Sequence, residues 1–257
     1  MRKTSAIREP RKVEIQYRKA LLVRVEWLKE HQAQIIKELK KNEGRYQGDA
    51  PADDLRATIN KRKELYSARF THKMSTNLAK TFYKRIDSYN SKKIGSALEA
   101  LGIDLEYILK RENLKDFVGT AIQNQVDLIT SIGSEHFDKI EKIVYNGMME
   151  GEDFASLGKK IEEATGASAK RAKMIARDQT TTINTMLSKK RAEAAGITKG
   201  EWVKPKFVKT KNYTPRKSHI AANGKVFPLD KGLLVDGEYQ FPGQAINCTC
   251  SFAFVVD

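Results

Sequence analysis

Residues 170–203, KRAKMIARDQTTTINTMLSKKRAEAAGITKGEWV, decide how the chain is to be read. Ala172, Ile175, Ala176, Ile183 and Leu187 recur at helical spacing and predict one buried face on a helix over about 169–194. Ala195-Gly196 ends it, with Gly196 at the position where a positive φ costs least. The pattern then changes: Glu201-Trp202-Val203 and, beyond Pro205, Phe207-Val208 read as strands. The expectation is an α+β protein, helical to about residue 195 and β-rich beyond.

Working towards the N-terminus, Val13, Tyr17, Leu21, Val25, Leu28, Ile35 and Leu39 form an amphipathic stripe. Asn42-Glu43-Gly44 supplies a stop, and Gly48-Asp49-Ala50-Pro51 a loop. A second long helix carries Leu55, Ile59, Leu65, Tyr66, Phe70, Leu78, Phe82 and Ile86, so residues 1–95 read as an antiparallel helical hairpin. The polar stretch 88–93 reads as a break. Shorter helices follow over about 94–101, 104–112, 113–132 and 134–147, punctuated by Gly102, Gly133 and Gly147. After a turn at 147–153, a helix over 155–164 points Leu157 and Ile161 inward. Thr165-Gly166-Ala167 ends it, and Ser168 stands as N-cap of the next.

Working towards the C-terminus, Gly224-Lys225-Val226-Phe227 contains a short strand. Leu233-Leu234-Val235, Asp236-Gly237 and 238–241 predict a hairpin, because Asp-Gly suits a type I′ turn. The alternation of 251–256 predicts a buried last strand. The chain divides into a basic helical hairpin (1–95), a helical middle (96–195) and a small β-rich module (196–257).

Of the 257 residues, 47 are Lys or Arg and 32 Asp or Glu, a net charge of +15, and 40% are hydrophobic. That is apolar enough for a packed core. No stretch approaches a membrane span, and no apolar run follows Met1-Arg2-Lys3, so neither a membrane anchor nor a secretory signal is expected. With only Cys248 and Cys250, a disulfide scaffold is excluded and a reducing compartment expected. Residues 1–100 carry 24 basic and 12 acidic side chains, residues 101–150 carry 5 and 9, and residues 151–257 carry 18 and 11. A basic first arm of this kind attracts polyanions by counterion release, without sequence specificity. Arg11, Lys12, Arg18, Lys19, Lys61, Arg62 and Lys63 are the candidate DNA contacts.

Phosphate-binding loops, dinucleotide fingerprints, zinc-protease helices and nucleophile elbows are missing from the sequence. Cys248-Thr249-Cys250 places two thiols on one face of an extended segment. With His219 they offer three soft ligands for zinc, the fourth falling to Asp230, Asp236 or water. The competing reading is two small buried apolar residues packed beside the imidazole. Lacking a clear fourth ligand, the sequence favours packing, and no cofactor is expected. Arg177-Asp178-Gln179 lies beside the buried stripe, where Arg177 is expected to form a buried ion pair that locks the helix to the module after it. Trp202 is expected to anchor the first strand. Arg216-Lys217-Ser218-His219 reads as a solvated loop or a phosphate contact.

The ordered set 171–180 (RAKMIARDQT), Asn184, Gly196, Trp202, 216–219 (RKSH), Asn223-Gly224-Lys225-Val226-Phe227, Pro242-Gly243 and Asn247-Cys248-Thr249-Cys250 resembles the phage Mu protein F-like head morphogenesis domain. The likeness covers about 115–257. Its structural motif falls on Arg177, Asp178, Gln179, Asn184, Trp202, Arg216, His219, Gly224, Phe227, Cys248 and Cys250. Two departures stand out. Where the family often has a carboxylate to pair with the Arg, the stretch between Trp202 and Arg216 has Lys204, Lys206, Lys209 and Lys211. Where the family often has a basic residue between the cysteines, this chain has Thr249.

The resemblance implies a minor head protein of a tailed phage, not an enzyme. It would be present in few copies, docked on the portal protein inside the head, touching packaged double-stranded DNA and leaving with it at ejection. The major capsid protein or a scaffolding protein are further candidate partners, and no membrane is involved. The alternative is a hydrolase or toxin-like enzyme acting on nucleic acid, with His219 as general base and Arg216 or Arg177 on phosphate.

Overall fold

The structure, a computed structural model, describes residues 2–41, 50–205 and 216–256. Its elements in chain order are β1 (Arg2–Lys3), α1 (Arg11–Lys41), α2 (Ala50–Arg69), α3 (His72–Glu99), α4 (Leu105–Arg111), α5 (Lys115–Met149), α6 (Phe154–Ala194), β2 (Lys199–Val203), α7 (Lys217–Ala222), β3 (Val226–Pro228), β4 (Leu233–Val235), β5 (Glu238–Gln240) and β6 (Ser251–Val256). The protein is mainly helical with a small antiparallel sheet module near its C-terminus, an α+β fold as expected. No helix among the described residues is long and apolar enough to cross a membrane. The chain forms two compact units, one of residues 1–15, 80–122 and 176–257, the other of 16–79 and 123–175.

The all-helical unit, 16–79 and 123–175, is filled by the stripe read from α1. Tyr17, Leu21, Val25, Leu28, Ile35 and Leu39 are all buried, together with Leu55 and Ile59 of α2 and Ile129, Ile132, Phe137 and Ile140 of α5. Tyr66 packs on Phe70 and Phe137 at centroid distances of 4.9 and 5.8 Å. Gly133 does not end a helix here. It stands inside α5 because a Cβ would come within 2.3 Å of the Tyr66 ring. The expected stop at 165–167 is absent for a related reason: α6 runs through, and its small polar residues make cross-links. The Thr165 hydroxyl bonds Gln32, and the Ser168 hydroxyl donates to Ala164 O at 3.2 Å and lies 3.1 Å from His136 Nδ1. Ser168 is therefore not an N-cap.

The single long helix expected over 55–86 is broken at 70–71. The Thr71 hydroxyl accepts the Met74 N–H at 3.3 Å and so caps the start of α3. Leu65 is exposed, because Leu55, Ile59 and Tyr66 define the buried face of α2 and Leu65 stands beside it. The stop at 42–44 lies outside the described residues, as does the loop up to residue 49.

In the mixed unit, β6 lies between β1 and β2, and β3 flanks β2, all antiparallel. Trp202 faces Phe252 across the β2–β6 pair. Gly200 gives these rings room, since a Cβ there would meet Phe227 and Phe252 at 3.0 Å. Trp202, Phe227, Phe252 and Phe254 form the core with Ile94 and Leu98 of α3 and Ile108 of α4. The β4–β5 hairpin turns at Asp236-Gly237 with φ of 54° and 83°, as a type I′ turn demands. The Phe207-Val208 strand lies outside the described residues. β1 and α7 are additions: two residues are too few to read as a strand, and a six-residue helix carries no periodicity.

The break expected at 88–93 is also absent, because Asn90 at its centre has partners on α6. Asn90, fully buried, donates from Nδ2 to Asn184 Oδ1 at 2.9 Å and Ser188 Oγ at 2.8 Å. Its own Oδ1 accepts from Arg191 Nη1 at 2.8 Å.

Burial pushes the His136 imidazole down to about 4; the Ala164 carbonyl opposes this, and Lys139 and His31 add to it. An unfolded histidine titrates near ~6.5, so the folded form resists protonation between these values. Stability should be whole above pH ~6.5 and fall as the pH drops towards 4, by at most about 3 kcal/mol. Urea denaturation at several pH values checks this. In His136→Gln the fall should shrink, whatever the variant's stability at pH 7, and an unchanged pH dependence would contradict the assignment.

Candidate functional site

The candidate site lies in the mixed unit, where α7 and the segment before β6 meet under the sheet. α7 delivers His219, which is buried although the run that holds it reads as a solvated loop or a phosphate contact. A helix places Ser218 outward, donating to Asp236 Oδ2 at 2.9 Å, and turns His219 inward. The ring meets Trp202 edge-on at 5.3 Å.

Cys248 and Cys250 arrive from a tight turn. Asn247, with φ of 61°, adopts the left-handed conformation that asparagine tolerates, and the Cys248 N–H donates to Ala245 O at 2.9 Å. Both thiols are free and buried. His219 Nδ1 lies 3.3 Å from Cys248 Sγ and 3.9 Å from Cys250 Sγ. The three ligand atoms lie within 4.8 Å of one another, the one such group among the described residues. Neither Asp230 nor Asp236 belongs to it.

The two sulfurs differ electrostatically. Cys248 receives hydrogen bonds from the Cys250 thiol and from the backbone N–H groups of Gly243 at 3.3 Å and Cys250 at 3.4 Å. These hold it well below the usual thiol range, against its burial. Cys250, the donor to Cys248, is pushed up by that bond and by burial. The two thiols therefore titrate as a pair, with Cys248 the more readily ionised of the two.

α6 anchors this segment. Thr182 and Thr185 hydroxyls donate to the carbonyls of Gly243 at 3.3 Å and Pro242 at 3.0 Å. Asp178 accepts the Asn247 N–H at 2.9 Å. Burial raises the Asp178 carboxyl, while the Asn247 bond, Arg177 and Arg216 act the other way. Arg177 itself is one-third exposed, its Nε 3.8 Å from Asp178. The expected lock between α6 and the module therefore rests on Asp178 and the threonines, and the buried arginine of the unit is Arg191. Arg216, which lacks the acidic partner often seen in the family, donates to Ile246 O at 3.0 Å and feels Asp178. Lys206, Lys209 and Lys211 lie outside the described residues.

The other motif residues are distributed through the same unit. Gln179 is half-buried. Asn184 is buried and donates to Ile7 O and Arg8 O at 3.4 and 3.3 Å. Trp202 is fully buried, and Gly224, with φ of 81°, donates to Trp202 O at 2.8 Å. Phe227 packs edge-on against Trp202, Phe241 and Phe252. Reading the sequence misses Arg191, Thr182, Thr185 and Gly243 as supports. The Pro242-Gly243 pair was the signal available for the last.

Residues 138–253 match the family model described as Phage Mu protein F like protein. An uncharacterized protein of Haemophilus influenzae (strain ATCC 51907 / DSM 11121 / KW20 / Rd) is 30% identical over 183 residues, 70% of this chain and 39% of that protein. The NAD(+)--arginine ADP-ribosyltransferase EFV of Enterococcus faecalis (strain ATCC 700802 / V583) is 27% identical over 124 residues, 44% of this chain and 25% of that protein. The chain thus spans about two fifths and one quarter of these relatives. No solved structure matches it. The resemblance read from the ordered motifs is supported over 138–253, which holds every motif residue from Arg171 to Cys250.

Gly243 has φ of 85°, and a Cβ there would meet Thr181 Cγ2 at 2.6 Å, Thr185 Oγ1 at 2.9 Å and Cys250 O at 3.1 Å. Gly243→Ala should destabilise the protein by about 2 kcal/mol or more, from the left-handed backbone and the clash together. It should also raise the rate at which Cys248 and Cys250 react with a thiol reagent under native conditions. Unchanged melting and thiol protection would show that the turn does not depend on glycine.

Proposed function

We propose that this chain is a head morphogenesis component of a tailed phage, located in the virion. The observation that carries the reading is the match of residues 138–253 to the phage Mu protein F-like family. In finer detail, the protein docks at the portal vertex inside the head, contacts the packaged DNA without sequence preference and leaves with it at ejection. The portal protein is its first partner, and the major capsid protein or a scaffolding protein is the next candidate.

The charge supports the DNA contact. Of the basic residues singled out, Lys12, Lys19 and Lys61 are exposed, and Arg18 is half-buried. Arg11 and Lys63 are engaged with Glu14 and Asp138, and Arg62 is half-buried with its Nε enclosed. The three exposed lysines are therefore the best placed to neutralise phosphate. A structural role also accords with His219. At 4% exposure, with Nδ1 turned to two sulfurs, it is poorly placed to reach a phosphodiester in a polymer.

If about six phosphates are neutralised, log affinity for duplex DNA should fall against log salt with a slope of roughly −5. Fluorescence anisotropy on unrelated duplexes should return the same slope. Replacing Lys12, Lys19 and Lys61 together by Gln should make it shallower, by about 3 at most. Salt-insensitive or sequence-dependent binding would overturn the DNA contact.

Mass spectrometry of procapsids, full virions and emptied ghosts tests the wider reading. The chain should be found in procapsids and virions and lost from ghosts. Absence from virions would refute the head assignment, and retention in ghosts would refute ejection.

A further inference from the structure

We infer that His219, Cys248 and Cys250 form a zinc site, with His219 Nδ1 and two thiolates as protein ligands and water in the fourth position. In a tetrahedral site with Zn–S of about 2.3 Å and Zn–N of about 2.05 Å, sulfur and nitrogen should stand about 3.6 Å apart. The two distances here, 3.3 and 3.9 Å, straddle that value. All three atoms lie within 4.8 Å of one another, so one cation placed among them can be shared by all three.

The donor set selects the metal. Two thiolates and one imidazole suit a borderline-soft divalent ion and are a poor match for magnesium or calcium, which take oxygen ligands. Charge balance favours the same ion. Two buried thiolates carry −2, which a divalent cation cancels. Binding to thiolates releases thiol protons to solvent, and the cysteines stay reduced throughout.

One of the three ligands, Cys248, already has outer hydrogen bonds. The backbone N–H groups of Gly243 and Cys250 already point at Cys248 Sγ. Such bonds orient a ligating sulfur and favour its charged form. Simple packing of small apolar groups, the reading favoured by the sequence, accounts for the burial, and a hydrogen bond from His219 Nδ1 accounts for one sulfur, but the convergence of a second sulfur on the same nitrogen is what a shared ion explains. A disulfide between residues i and i+2 is sterically poor. The ion would tie α7 to the segment that leads into β6, so its role is to hold the module closed. This inference rests on three side chains and stands or falls apart from the proposed function.

The test uses the full chain, purified reduced and without chelator. Zinc measured by plasma mass spectrometry should be close to one per chain. A strong chelator should remove it and lower the melting temperature, and added zinc should restore both. Cobalt(II) added to the stripped protein should give the near-ultraviolet thiolate-to-cobalt absorption. Cys250→Ser and His219→Ala should each lose zinc and weaken that absorption. Should these variants fail to fold, titration of the stripped native chain gives the answer by itself. A folded, reduced chain that holds no zinc and develops no thiolate-to-cobalt band would overturn the proposal. So would full zinc content in a folded Cys248→Ser/Cys250→Ser variant.

Discussion

The mixed unit depends on the burial of one guanidinium. Arg191 is 1% exposed, and taking an ion of that kind out of water costs several kcal/mol unless its donors are all met. Here its fork reaches Glu112 with Nε at 2.9 Å and Nη2 at 3.2 Å, Asp87 with Nη2 at 2.6 Å and Asn90 with Nη1 at 2.8 Å. Satisfying it draws together α3, α6 and the link between α4 and α5. Asn90 passes the constraint to Asn184 and Ser188, and Asn184 passes it to the carbonyls of Ile7 and Arg8. The first residues are thereby led to the sheet edge, where β1 pairs with β6. A one-residue slip of α3 along α6 would leave a buried charge or amide unmet, so the network sets register where apolar contacts alone would tolerate several.

The second set of constraints acts on the segment between the β4–β5 hairpin and β6. That segment has little regular structure, so its backbone groups need partners from elsewhere. α6 supplies them from consecutive turns: Asp178 accepts an N–H, and Thr182 and Thr185 donate to carbonyls. The segment in turn places both sulfurs against His219 and starts β6 at Ser251, so that Phe252 and Phe254 enter the core. The site and the last strand are thus consequences of the same docking onto α6.

Period and turn chemistry made much of this legible. The stripe of α1, the end of α6 before Gly196, the strand around Trp202, the Asp236-Gly237 hairpin and the buried last strand are all local signals, and the structure contains each. What reading missed has one cause. Glycine, serine and asparagine punctuate helices when their partners are solvent, yet Gly133, Ser168 and Asn90 lie inside helices because each meets a particular neighbour far away in the chain. Those neighbours, Tyr66, His136 and Ser188, are invisible to a local window. Arg177 and Arg191 show the same limit: two arginines on one helix, of which the sequence cannot say which is buried until Asp87 and Glu112 are placed. The convergence of His219 on the cysteines was readable in outline, since both segments had to return to the same core. The helix that turns His219 inward was not.

The residues that carry the family resemblance are largely interior. Asn184, Trp202, Phe227, His219, Cys248 and Cys250 are buried, Gly224 closes a turn onto Trp202, and Asp178 is spent on the Asn247 N–H. Their order along the chain therefore reports how this unit packs, and it says little about what its surface touches. That separates two questions the sequence presents as one. The shared architecture rests on the motif residues. The proposed DNA contact draws on side chains outside the motif, the exposed lysines of α1 and α2, because a solvated ammonium with no buried role can meet a phosphate.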